Sequence, residues 1–244
     1  MLGGLAGAQT ATLALGACGL AAGLLSLTLP IQPRPHDGQP LLAAIRSGMT
    51  RGVSALWTNH TLRAITLATT LGEAGIGALP VAAALLAQNY GSASLAGMLV
   101  ALFAVGALVG SLAYARYPVA DHLPELRVVV LLAGVGIPLL LLPATTGALT
   151  GSALFVVSGL SYGPLLIALL TNRERQSPAD AHIQVFALAA GLRLTGAAAG
   201  AAVAGWFTTH GAGWVADGVA LSQILAALLG IALMGGIRPL LVQR

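Results

Sequence analysis

The chain has 244 residues, of which 57% are hydrophobic and only 7% are charged, with a mean hydropathy of +0.89. Soluble globular domains carry about 25% charged residues, so this composition excludes an ordinary soluble domain and indicates a membrane protein. The basic residues are all arginine, and the net charge is +4.

Seven apolar stretches are long enough to cross a membrane, because about 20 apolar residues span the bilayer core as a helix. The stretches are continuous rather than alternately apolar and polar, which favours helices over the strands of a membrane barrel. We therefore expect an all-helical multi-pass membrane protein with about seven transmembrane helices. The predicted spans are residues 8–30, 64–88, 94–115, 128–145, 147–170, 183–207 and 218–237.

The segment between the first two spans has two parts. Residues 31–40 are rich in proline and polar side chains, as expected of a turn or linker. Beyond them, apolar residues recur at helical spacing: Leu41, Leu42, Ile45, Met49, Val53 and Leu56. Two interpretations stay open, an amphipathic helix along the inner membrane surface and a plain cytoplasmic connector helix.

Ten of the eleven arginines lie in alternate gaps between the spans: Arg34, Arg46, Arg51, Arg63, Arg116, Arg127, Arg173, Arg175, Arg238 and Arg244. The remaining gaps, at residues 89–93, around 147 and at 208–217, carry none. Arginine-rich loops of membrane proteins face the cytoplasm, which predicts an outside N-terminus and a cytoplasmic C-terminus. The positive net charge then reflects topology rather than nucleic-acid binding.

Two charged residues lie deep inside predicted spans. Glu73 is ten residues past Arg63, and Arg193 is ten residues past Ile183, so each lies about 15 Å into the bilayer. A charge at that depth costs at least about 2.5–3.5 kcal/mol and requires a partner or a water-filled cavity. One hypothesis makes Glu73 a protonation site coupled to Arg193 and to substrate. The other is a permanent structural ion pair between two helices.

Two glycine pairs have the GxxxG spacing of closely packed membrane helices. Gly106 and Gly110 lie on the third span, and Gly196 and Gly200 lie on the sixth. They predict close approach of neighbouring helices.

The sequence indicates neither an enzyme nor a metal or cofactor site. Residues 159–163 fit the pattern GxSxG, but they lie inside a predicted membrane helix rather than on the strand–turn–helix that a nucleophile elbow needs. The five histidines are scattered without the spacing of metal ligands. The chain also lacks the lysine that a retinal protein requires.

Several motifs together resemble the major facilitator superfamily of transporters, most closely its bacterial drug-efflux members. Residues 77–81 (GALPV) and 102–116 (LFAVGALVGSLAYAR) are similar to helices seven and eight of that family. Residues 159–175 (GLSYGPLLIALLTNRER), with Pro178 and residues 185–205, resemble helices ten and eleven, and residues 1–7 (MLGGLAG) resemble the end of helix five. The matches follow the family's order from the end of helix five through helix twelve.

The resemblance implies a division of the chain. Residues 1–30 would be the end of helix five and helix six, residues 31–62 a cytoplasmic linker with an amphipathic helix, and residues 63–244 a six-helix C-terminal domain. Family members have two six-helix halves that move about a central site. A missing N-terminal half, encoded upstream or supplied by a partner chain, would complete the transporter.

The resemblance also assigns roles to side chains. Helices seven and ten line the central cavity in the family, which makes Thr70, Ser158, Ser161 and Tyr162 substrate-cavity candidates. The alternative is that these polar groups bond only to a neighbouring backbone. The helices with the GxxxG pairs correspond to contacts between the two halves, so these glycines would form a sliding surface or simply pack tightly.

We therefore expect a secondary transporter in the lipid bilayer of a bacterial inner membrane, one that exports a small amphipathic compound by proton antiport with alternating access. Its partners would be a small-molecule substrate and the missing half, with no nucleic acid. Two alternatives remain open: a nonfunctional fragment of such a transporter, and a seven-helix binding or scaffold protein without transport activity.

Overall fold

A computed structural model describes residues 13, 16–17, 19–28, 41–117, 124–179 and 181–234, with only the backbone described for residues 41–45. The chain divides into two compact units, Met1–Leu41 and Leu42–Arg244. In the first unit, residues 19–27 are helical. The first predicted span, residues 8–30, lies partly outside the described residues, so the count of seven transmembrane helices is not confirmed.

The second unit is built of helices, and its described residues include no strand. Six of its helices are each long and apolar enough to cross a membrane, one of them, Pro124–Leu139, only together with the 3₁₀ turn Leu142–Ala144 that follows it. They confirm the second to the seventh predicted spans. In chain order the helices are α1 (Leu41–Thr58), α2 (His60–Asn89), α3 (Leu95–Arg116), α4 (Pro124–Leu139), α5 (Ala148–Gln176), α6 (His182–Phe207) and α7 (Ala212–Leu233).

Local signals account for the helix boundaries. The Asn59 side chain accepts a hydrogen bond from the Leu62 amide at 3.1 Å and caps the start of α2. Gly91 (φ 80°) follows α2 and Gly211 (φ 97°) precedes α7. Both adopt a left-handed conformation that glycine accepts without strain.

Five of the helices form a closed ring in the order α2, α7, α4, α5 and α3. The ring encloses an apolar core, whose largest fully buried side chains include Phe155, Leu99 and Leu132. Helix α6 stands outside this ring; its first turn contacts α1, and most of its remaining length packs on α2. Its attachment therefore depends mainly on what joins it to α2.

Helix α1 confirms the helix predicted from apolar spacing. Gly48 and Gly52 place it against Gln184 at the start of α6, and Leu56 is buried in a small cluster with Leu62 and Val185. Met49 and other apolar side chains of α1 stay exposed. That exposure agrees with a helix at the membrane surface, which stays a prediction.

Candidate functional site

Three helices bring polar side chains together in the middle of the bundle. The carboxylate oxygen Oε1 of Glu73, on α2, accepts hydrogen bonds from Nε of Arg193 at 3.0 Å and from the hydroxyl of Tyr162 at 3.2 Å. Nη2 of Arg193 also donates to the same oxygen. We call Glu73, Tyr162 and Arg193 the central charge cluster. The two deep charges that the sequence singled out are thus in direct contact.

Both charged groups of the cluster are largely shielded. The side chain of Glu73 is 13% exposed and that of Arg193 is 21% exposed. Removing such charges from water is costly unless each finds an opposite charge and hydrogen bonds. The pairing meets this requirement.

Small residues allow the two charged helices to approach this closely. A Cβ atom on Gly196 would crowd the carbonyl oxygen of Thr70, and one on Gly200 would overlap that of Ala74. These contacts bracket Glu73 along α2. The ion pair and these glycine contacts lie together in the interface that joins α6 to α2.

Tyr162 reaches the cluster from α5. Its ring lies against that of Phe103 on α3, with a centroid separation of 5.3 Å. At the next residue, Gly163, a Cβ atom would overlap the carbonyl oxygen of Ala107. The close α3–α5 approach therefore fixes the tyrosine, and its hydroxyl points at Glu73.

A small cavity of about 10 Å³ lies beside the cluster. Its lining includes Thr69, Glu73, Tyr162 and Gln223, together with apolar side chains. This volume holds about one water-sized ligand. In this conformation the site therefore has no room for a substrate of drug size.

Of the four cavity candidates, only Tyr162 lines this cavity. Ser158 is fully buried and donates to the Val135 carbonyl at 2.7 Å, and Thr70 donates to the Thr66 carbonyl within its own helix at 2.8 Å. Ser161 lies against Gly134 of α4 instead. The substrate-cavity role of Thr70, Ser158 and Ser161 stays a prediction, while the hydroxyls of Thr70 and Ser158 bond to backbone carbonyls in this conformation.

The GxxxG glycines are occupied by contacts within the chain. Gly106 and Gly110 of α3 face backbone carbonyls of α5, and Gly196 and Gly200 of α6 face those of α2. Helix α5 in turn has glycines that face the backbone carbonyls of α3. A sliding surface toward a second half would need these same faces, so the structure favours the packing interpretation.

Sequence reasoning missed several buried polar residues, among them Gln223 and Arg173. Gln223 of α7 is 1% exposed, and its side-chain amide donates to the Gly72 carbonyl at 2.6 Å. Arg173 was assigned to a cytoplasmic loop, but α5 continues to Gln176 and buries this arginine to 2% exposure. A lone amide in an apolar span was the available signal for Gln223. The signal for Arg173 was the unbroken helical pattern past residue 170.

Within the described ranges, no three His, Cys, Asp or Glu side chains come together as a metal site would require. No protein-family model, curated protein or solved structure matches the chain. The resemblance to the major facilitator superfamily therefore rests on the sequence motifs alone.

Proposed function

We propose that this chain is the helical bundle of a secondary transporter, with Glu73 as its proton-coupling residue. The observation that carries the proposal is the contact of Glu73 with Arg193 near the middle of both helices, between α2 and α6, the helix that stands outside the ring. Intramembrane ionisable residues are costly and commonly mark proton or substrate pathways.

The charge state of Glu73 would control the position of α6. With a charged carboxylate, Arg193 is neutralised and holds α6 against α2. A proton on Glu73 removes this attraction and leaves a guanidinium without its counter-charge. The ion pair then has two states, joined and separated. Any ligand that prefers one of these states shifts their populations.

The resemblance supplies the remaining parts of the proposal. It implies export of a small amphipathic compound by proton antiport, in a bacterial inner membrane, with the N-terminus outside and the C-terminus in the cytoplasm. It also implies a second six-helix half, because alternating access needs two halves that rock about one site.

The test is dye efflux from cells that express the chain together with the sequence encoded upstream of it. Glu73→Gln should abolish proton-driven efflux of fluorescent amphipathic dyes without loss of protein from the membrane. Glu125→Gln is the matched control, because that carboxylate lies in the first turn of α4. Undiminished efflux by the Glu73 variant at normal abundance would refute the coupling role.

A second candidate is a membrane binding or scaffold protein without transport activity. The closed helix ring and the water-sized cavity favour it, since neither offers a passage in this conformation. Binding of a ligand without any efflux by the unmodified protein would support this candidate over the transporter.

A further inference from the structure

Arg173 is the one charged side chain that is fully buried in the part of the chain that the structure describes. It lies one turn before the end of α5, and its Nη2 donates to the Thr69 hydroxyl of α2 at 3.4 Å. An arginine this near a helix end usually extends its charge to the water interface. Here the guanidinium is kept inside, beside a neutral hydroxyl at the long end of hydrogen-bond distance.

Three buried donor atoms near this point have no hydrogen-bond partner in the described structure: Arg173 Nε, Thr66 Oγ1 and Ser177 Oγ. Thr66 precedes Thr69, the hydrogen-bond partner of Arg173, by one turn of α2, and Ser177 is the residue that caps the end of α5. A fourth unpaired atom, the Asn172 amide oxygen, belongs to a side chain that bonds to Pro124. Folded proteins leave few buried donors unpaired, so a group of three indicates a bound water or ion.

The balance of charges around Arg173 indicates whether the bound group is a water molecule or an ion. Among the described residues of the core, Arg173 and Arg193 share one carboxylate, Glu73, and Arg193 already donates to it twice. The charge of Arg173 interacts with those of both residues, but no described carboxylate is paired with it directly. The core therefore carries one excess positive charge. A water molecule would satisfy the donors and leave that charge, whereas an anion would satisfy both.

We propose that Arg173, Thr66 and Ser177 form a binding site for a small monovalent anion, at the end of the bundle where α2 begins and α5 ends. Thr66 and Arg173 are each only 2% exposed, and this close packing limits the ligand to a chloride-sized ion or to one anionic oxygen of a larger group. The ligand then comes either from solution or from the phosphate of an anionic lipid. This site is separate from the proposed transport function and does not depend on it.

The test is anion-dependent stability of the full chain in nanodiscs of phosphatidylcholine. Thermal unfolding is compared in sodium chloride and in sodium gluconate at equal ionic strength, since gluconate is too large for the site. Chloride should raise Tm in a saturable way, and at 100 times its Kd it should shift the folding equilibrium about 100-fold. Arg173→Gln should remove this dependence. Arg175→Gln should retain it, because Arg175 is exposed on the same helix.

A second variant covers the case in which Arg173→Gln does not fold. Thr66→Val keeps the side-chain shape and removes an unpaired hydroxyl, so it should weaken chloride binding roughly tenfold. Its stability in gluconate should not fall. Binding of radioactive chloride to the unmodified chain gives the affinity directly.

Nanodiscs that contain phosphatidylglycerol separate the two sources of the anion. If this lipid stabilises the chain through Arg173 and chloride does not, the ligand is a lipid headgroup. Two results would overturn the site: the absence of any saturable anion effect in either lipid, or an effect that both the Arg173 and Thr66 variants retain unchanged.

Discussion

The ion pair between Glu73 and Arg193 should show strong energetic coupling in a double-mutant cycle. The variants are Glu73→Gln, Arg193→Gln and the two combined. At a separation near 4 Å and an effective dielectric constant of about 20, opposite charges attract by about 4 kcal/mol. The side chains are 13% and 21% exposed, and this partial exposure reduces that value. We expect a coupling free energy of about 2 kcal/mol.

The two single variants should differ in stability, because a second buried arginine, Arg173, lies within electrostatic range of the pair. Glu73→Gln leaves Arg193 without its counter-charge and removes the carboxylate that also interacts with Arg173, and we expect it to cost about 3 kcal/mol. Arg193→Gln leaves Glu73 with the charge of Arg173 within range and with the Tyr162 hydroxyl as donor. We expect this change to cost only about 1–2 kcal/mol.

Equilibrium unfolding in mixed micelles of mild detergent and dodecyl sulfate, followed by circular dichroism, gives these free energies. The double variant should be no less stable than Glu73→Gln alone, because it removes both charges. Costs of the single changes that add to within about 0.5 kcal/mol in the double variant would refute the coupling. An Arg193→Gln variant less stable than Glu73→Gln would refute the role given to Arg173.

Two further predictions concern the contacts around the cluster. Gly200→Ala should sharply lower the yield of folded protein in detergent, because the new Cβ would overlap the Ala74 carbonyl oxygen. Gly205→Ala on the same helix meets no atom within 4 Å and should leave the yield unchanged or raise it; equal yields from both variants would contradict the packing. Tyr162→Phe removes one hydrogen bond to the Glu73 carboxylate and should cost about 1.5 kcal/mol in the same unfolding assay. A loss of unfolding free energy as large as that of Glu73→Gln would mean that Tyr162 contributes more than this one hydrogen bond.

The sequence was sufficient to predict the described membrane helices and the two deep charges. The lengths of the apolar runs predicted six of the helices, because the bilayer fixes how many apolar residues a span needs. Equal depth and opposite charge identified Glu73 and Arg193 as candidates. Their contact was left open, because it depends on how α2 and α6 rotate toward each other.

The failures have physical causes. Arg173 was read as a loop residue, since arginines near the end of an apolar run usually mark the cytoplasmic side. The helix instead continues past the apolar run and turns that side chain inward. The sequence also could not show that the hydroxyls of Ser158 and Thr70 bond to backbone carbonyls, because depth does not determine which way a side chain on a helix points. Glycine spacing predicted close helix contacts without naming the partner helix.

The most direct test of the central claim is the distance between α2 and α6 when Glu73 loses its charge. Spin labels at Leu67 and Leu194, both exposed, report this distance by pulsed electron resonance after replacement of Cys18. The account predicts one narrow distance distribution in the unmodified background. Glu73→Gln should give a longer or broader one, since the neutral side chain no longer holds Arg193. An identical distribution in both proteins would contradict the claim that this ion pair controls the position of α6.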